Sequence, residues 1–127
     1  MKKTVLKKDT NANTYWFSSS GAWEAQIIGH TLISSHTKSF IKEWLENNQW
    51  LSFEDDRIKL EKRNSEVVFS DLYDDSESKF EFVVSREIFL KILDEWESAR
   101  AQQKEYIVIE VFDDNQVRIY GTDVVNN

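Results

Sequence analysis

Apolar residues recur along the chain with two distinct periods. From Thr37 to Asn48, Phe40, Ile41, Trp44 and Leu45 fall at i, i+1, i+4 and i+5, one stripe of a helix whose other side carries Lys42, Glu43 and Glu46. The Asn47-Asn48 pair suits its end. A second helix is predicted from about Arg86 to Ala101, with Phe89, Ile92, Leu93, Trp96 and Ala99 as its buried stripe. Ser85 is placed to cap it, Glu87 favours the positive end of the helix dipole, and Arg100 and Lys104 sit near the negative end.

Elsewhere the period shortens to two or the runs become short and β-rich. Ile58 and Leu60 alternate with charged residues in Arg57 to Glu61, facing Trp50 to Phe53 across Glu54-Asp55-Asp56. Glu66 to Ser70 and Lys79 to Val84 read as two more strands, joined by the acidic connection Asp71 to Ser78. Tyr106 to Phe112 and Val117 to Tyr120 form a terminal hairpin around Asp113-Asp114-Asn115-Gln116. Near the start, Tyr15-Trp16-Phe17 and Trp23 to Ile28 are predicted as a first hairpin across Ser18 to Gly21, with Thr31 to Ser34 a third short strand or a loop leading into the helix. Residues 2–14 are polar and lysine-rich and read as a flexible basic segment ahead of a single α+β domain over 15–123. The fold class expected is α+β, a largely antiparallel sheet with two amphipathic helices packed on it and a C-terminal β-hairpin.

Charge sharpens this picture. The chain of 127 residues has 16 Lys and Arg against 23 Asp and Glu, a formal net charge of −7. The tail lysines mask a more acidic body, since residues 9–127 hold 12 basic against 23 acidic groups. Between 66 and 97 there are ten acidic and three basic residues. Such a surface argues against a general nucleic-acid binder, which spreads Lys and Arg along a phosphate backbone. With no Cys, disulfides, thiol catalysis and cysteine metal sites are excluded. Among the N-terminal lysines the apolar stretch is only Val5-Leu6, too short for a signal peptide, and no window approaches a membrane span. A cytoplasmic protein is expected.

Catalytic chemistry finds little support. The only histidines, His30 and His36, lie in a Ser/Thr-rich stretch without a nucleophile-elbow motif, and two His six residues apart do not make a zinc site. Asp71, Asp74, Asp75 and Glu77 lack the spacing and the glycine of a calcium loop. No Gly-rich phosphate loop exists, because Gly21 and Gly29 stand alone. No enzyme, metal or cofactor is expected. The alternative for the acidic cluster is a protein interface, where Asp71, Asp74, Asp75 and Glu77 steer a basic partner and Tyr73, Phe80 and Trp96 supply aromatic contact.

The stretch Val67-Val68-Phe69-Ser70-Asp71-Leu72-Tyr73-Asp74-Asp75, with Phe82 to Glu87, Leu90 to Trp96 and Tyr106 to Glu110, resembles the small acidic immunity proteins encoded beside bacterial toxins, including those of contact-dependent growth inhibition systems. The likeness covers the C-terminal half and carries no diagnostic motif. It implies a cytoplasmic protein that binds one cognate toxin domain, often a nuclease, and blocks it. On that expectation Asp71, Tyr73, Asp74, Asp75 and Glu77 contact the toxin, with no nucleic acid or membrane partner. The alternatives are a regulatory binding module with another protein partner, or a DNA mimic that presents carboxylates at phosphate-like intervals.

Overall fold

The computed structural model describes residues 1–11, 14–18, 21–33, 38–47, 50–54, 57–72 and 80–125. In these, eight strands and three helices follow one another as β1 (Lys2–Asp9), β2 (Thr14–Phe17), α1 (Trp23–Leu32), α2 (Lys38–Glu46), β3 (Ser52–Glu54), β4 (Ile58–Arg63), β5 (Glu66–Asp71), β6 (Glu81–Ser85), α3 (Arg86–Ala101), β7 (Tyr106–Val111) and β8 (Val117–Thr122). The fold is α+β with antiparallel pairing and a C-terminal β7–β8 hairpin, as the sequence pattern implies. The strands divide into two sheets rather than one. The first sheet has the order β2-β1-β7-β8, and the second is the meander β3-β4-β5-β6.

The first sheet corrects the reading of the N-terminus. Residues 2–9, expected as part of a flexible segment, form β1, which lies between β2 and β7 and pairs with both. Thr4 and Leu6 point inward and are buried, and Leu6 sits opposite Ile107 and Phe17. Two inward positions suffice for a strand whose edges are both hydrogen-bonded.

The expected first hairpin is corrected as well. Tyr15 to Phe17 do lie in a strand, but Trp23 to Ile28 belong to helix α1. Thr31 and Leu32 complete that helix instead of starting a strand, and the Ile33 N–H donates to Gly29 O at 3.0 Å. Ala25, Ile28 and Leu32, with Ile27 and Thr31, recur at three- and four-residue spacing, so both sides of the helix carry buried residues. α1 packs on β1 and β7 of the first sheet and on β4 and β5 of the second, and six of its residues are buried. Gly29 allows the close approach, because a Cβ there would lie 2.9 Å from the Phe17 ring.

The two anticipated helices are α2 and α3. In α2, Ile41, Trp44 and Leu45 are buried, and the Trp44 ring meets Phe53 and Phe89 edge to face at 4.9 and 6.3 Å. The buried Lys62 on β4 donates its Nζ to Trp44 O at 2.5 Å and also to Asn47 O, which satisfies carbonyls at the end of α2. α3 begins where Ser85 Oγ accepts the Ile88 N–H at 3.1 Å. Phe89, Ile92, Leu93, Trp96 and Ala99 are its buried residues, and it lies on β8 while touching β5 and β6. One apolar core therefore joins both sheets through α1 and α3. Burial of each such large side chain contributes about 1.5–3 kcal/mol relative to exposure.

Candidate functional site

The acidic stretch leaves the second sheet at its β5–β6 end. Asp71 closes β5 opposite Ile58, and the segment returns at Phe80 ahead of β6. Tyr73, Asp74, Asp75 and Glu77 lie outside the described residues. Asp71 is the member of the predicted set that the structure places. Its side chain is 11% exposed and lies 3.3 Å from Arg57 Nε, so its charge is partly answered within the chain. The next residue is held as well, since the Leu72 N–H donates to Arg57 O at 2.8 Å.

Apolar groups stand at both ends of the acidic segment. Leu72 is 37% exposed and Phe80 is 67% exposed. The Phe80 ring lies tilted against Trp23 of α1, with ring centroids 5.9 Å apart. Trp96 takes no part in this surface. It is 9% exposed, meets Tyr15 edge to face at 6.5 Å and lies under the Arg100 guanidinium, so its place in the helix stripe overrides the expectation of an interface aromatic.

Several carboxylates between 66 and 97 are engaged within the chain. Glu81 receives two hydrogen bonds from Arg63, at 2.9 and 2.7 Å, and this bidentate pairing holds its carboxyl below the usual range. Arg63 also donates to Glu61 at 2.8 Å. Asp94 approaches Lys42 at 3.9 Å, and Glu95 approaches Lys91 at 3.3 Å. The negative field at this end is therefore weaker than the residue tally alone implies.

His30 comes into the same neighbourhood from the last turn of α1. Its ring lies 4.6 Å from Phe17, and Arg57 and Asp71 both act on it electrostatically. Burial pushes its pKa down, Arg57 pushes it further down, and Asp71 opposes them. His36 lies outside the described residues. Among the described residues no group of three or more His, Asp or Glu side chains is close enough to hold a metal ion. None of their helices is long and apolar enough to cross a membrane.

Comparison with protein-family models, with curated proteins and with solved structures finds no match to this chain. Physical features of the surface therefore carry the functional reading. Sequence reasoning missed one of them, the outward face of the first sheet. Its signal was the alternation Lys3, Val5, Lys7, overshadowed by the lysine content of that stretch.

Proposed function

We propose that the chain is a non-enzymatic immunity protein that binds and neutralises a cationic toxin domain at the β5–β6 end of its second sheet. The observation that carries this reading is the exposure of Leu72 and Phe80 on either side of an acidic segment whose base is held by ordered strands. Exposed apolar groups supply a desolvated centre, and Asp74, Asp75 and Glu77 supply a charged surround. A nuclease must attract phosphate, so its active site is cationic and open to blockade by carboxylates. Close charge pairs at such an interface couple by about 1.5–7 kcal/mol, and opposite fields accelerate encounter. Inhibition of this kind asks for no catalysis by the chain.

The test is co-expression with the product of the adjacent gene, followed by affinity measurement. A complex that abolishes toxin activity is expected, and charge reversal at Asp74 and Asp75 should weaken it more than tenfold with an unchanged melting temperature. Association should slow steeply as salt rises. Loss of folding in step with binding would assign the segment a structural role. A complex without inhibition would make the chain a regulatory binding module instead.

A further inference from the structure

The outward faces of the two sheets differ in kind. On the second sheet, Lys59, Glu61 and Arg63 of β4 stand beside Ser70 and Glu66 of β5, and Arg63 bridges Glu61 and Glu81. That face neutralises itself. The first sheet turns a row of Trp16, Lys7 and Tyr106 outward on neighbouring strands, in direct register. Beside it runs the row Val5, Val108 and Tyr120, in which Val108 is buried, and next Lys3, Glu110 and Arg118.

Three properties mark this face as built for contact. Trp16 is 58% exposed, although its large ring would gain from being covered. The one carboxylate of these rows, Glu110, is 7% exposed and already engaged, receiving the Tyr120 hydroxyl at 3.4 Å and facing Arg118 at 3.8 Å. Lys7 is exposed and the Arg118 side chain is 62% exposed, stacked over the Tyr120 ring at 4.5 Å, so positive charge and aromatic surface are presented together. At the β2 side of the face an open depression of about 520 Å³ is lined by Lys7, Lys8, Trp16 and Phe17, with Asp9 and Glu105 among its other walls. It has room for a side chain of a partner.

We propose that the outward face of the first sheet docks a short segment of a partner protein that carries carboxylates and apolar side chains, with Trp16 as the anchor and Lys7 and Arg118 as the carboxylate-binding groups. Charge complementarity selects this occupant. With Lys3, Lys7 and Arg118 against Asp9 and Glu110, the face is net positive on a chain of net charge −7, so an acidic segment is drawn to this four-stranded sheet in preference to the rest of the surface. A long polyanion such as single-stranded nucleic acid would run beyond the face onto acidic surface. This surface belongs to the other sheet from the β5–β6 end, and the proposal does not rest on the toxin reading.

The experiment is an amide NMR titration of the full chain with a short synthetic peptide that alternates Glu with Leu and Phe, run in parallel with oligothymidylate. Saturable shifts confined to β1, β2, β7 and β8 are expected with the peptide, weakening as salt rises. Lys7→Glu and Trp16→Ala should each weaken peptide binding about tenfold at an unchanged melting temperature, while Lys59→Glu on the other sheet leaves it unaltered. Absence of saturable shifts, or shifts centred on the second sheet, would overturn the proposal. Tighter binding of oligothymidylate than of peptide at this face would replace the protein segment with a nucleic acid and equally overturn it. Concentration-dependent self-association through the same residues would assign the face to a second copy of the chain, with the same result.

Discussion

The Glu95 carboxylate on α3 accepts the backbone N–H of Ile119 on β8 at 2.7 Å. Lys91, one helical turn earlier, lies 3.3 Å from Glu95 and donates its Nζ to Val117 O at 2.9 Å. β8 ends the first sheet, so this pair occupies backbone groups on the edge where another strand would add. A hydrogen bond to a charged group contributes about 1.5–3 kcal/mol, and an edge freed of it invites association. Glu95→Ala should lower stability by about 2 kcal/mol in denaturant unfolding and increase self-association in sedimentation. Glu95→Gln keeps an acceptor oxygen and should show less than half of either effect. Equal losses in the two variants would mean that charge pairing with Lys91, and not the edge contact, is what matters.

β1 offers a test of the same sheet from its centre. Leu6 is fully buried, so Leu6→Ala should cost about 2–5 kcal/mol, whereas Lys7→Ala on the outward side should cost almost nothing. Gly21 closes the argument from the other side of the contact. A Cβ there would lie 2.6 Å from Thr4 Oγ1 and 2.7 Å from Lys3 O, and a backbone oxygen on a central strand yields little. Gly21→Ala is expected to destabilise by about 1–3 kcal/mol. Wild-type stability in Leu6→Ala would return residues 2–9 to the status of a loose tail.

Local signals and long-range packing explain which parts of this fold could be read in advance. α3 was legible because Ser85, Glu87, the Phe89 to Ala99 stripe and Arg100 all agree within one segment. The β7–β8 hairpin was legible because Asn115, at a φ of 61°, takes the left-handed conformation its residue type tolerates, within a turn rich in Asp and Asn. α1 was not, since Ile27-Ile28 and the Ser-rich approach to Gly21 are local β and turn signals, and its helical form is supported by burial between two sheets. Lysines hid β1 because its partner, β7, lies about a hundred residues away and no local pattern announces it. At the candidate site the sequence could place Asp71 before an acidic connection, but not its pairing with Arg57.

Lys62 ties the second sheet to α2 through charge in a buried place. Its ammonium donates to Trp44 O and Asn47 O and lies 5.2 Å from the Trp44 ring centroid. Burial and the nearby Arg86 lower its pKa, so the carbonyl bonds must offset an unfavourable setting. Lys62→Met keeps the aliphatic stem and removes the donor, leaving buried carbonyls without it. The expected loss is about 1–3 kcal/mol. Amide hydrogen exchange should show where the loss falls, with faster exchange at the last turn of α2 and little change in the middle of α3. Uniform acceleration across both helices would make Lys62 a general core residue and not a cap.

His30 should give the protein a pH dependence in the mildly acidic range. The unfolded imidazole titrates at about 6.5, and the folded one at a lower pH because burial and Arg57 disfavour its charged form more than Asp71 favours it. Above that unfolded value neither state carries the proton, and stability is unaffected. As pH falls below it, the unfolded chain takes up a proton that the folded chain resists, so stability declines until the folded pKa is passed and then levels off. Denaturant midpoints measured through this window should fall in the wild type and fall less in His30→Gln. Arg57→Gln removes one of the causes and should raise the His30 pKa seen by NMR, narrowing the window from below. An identical pH slope in wild type and His30→Gln would place the titrating group elsewhere in the chain.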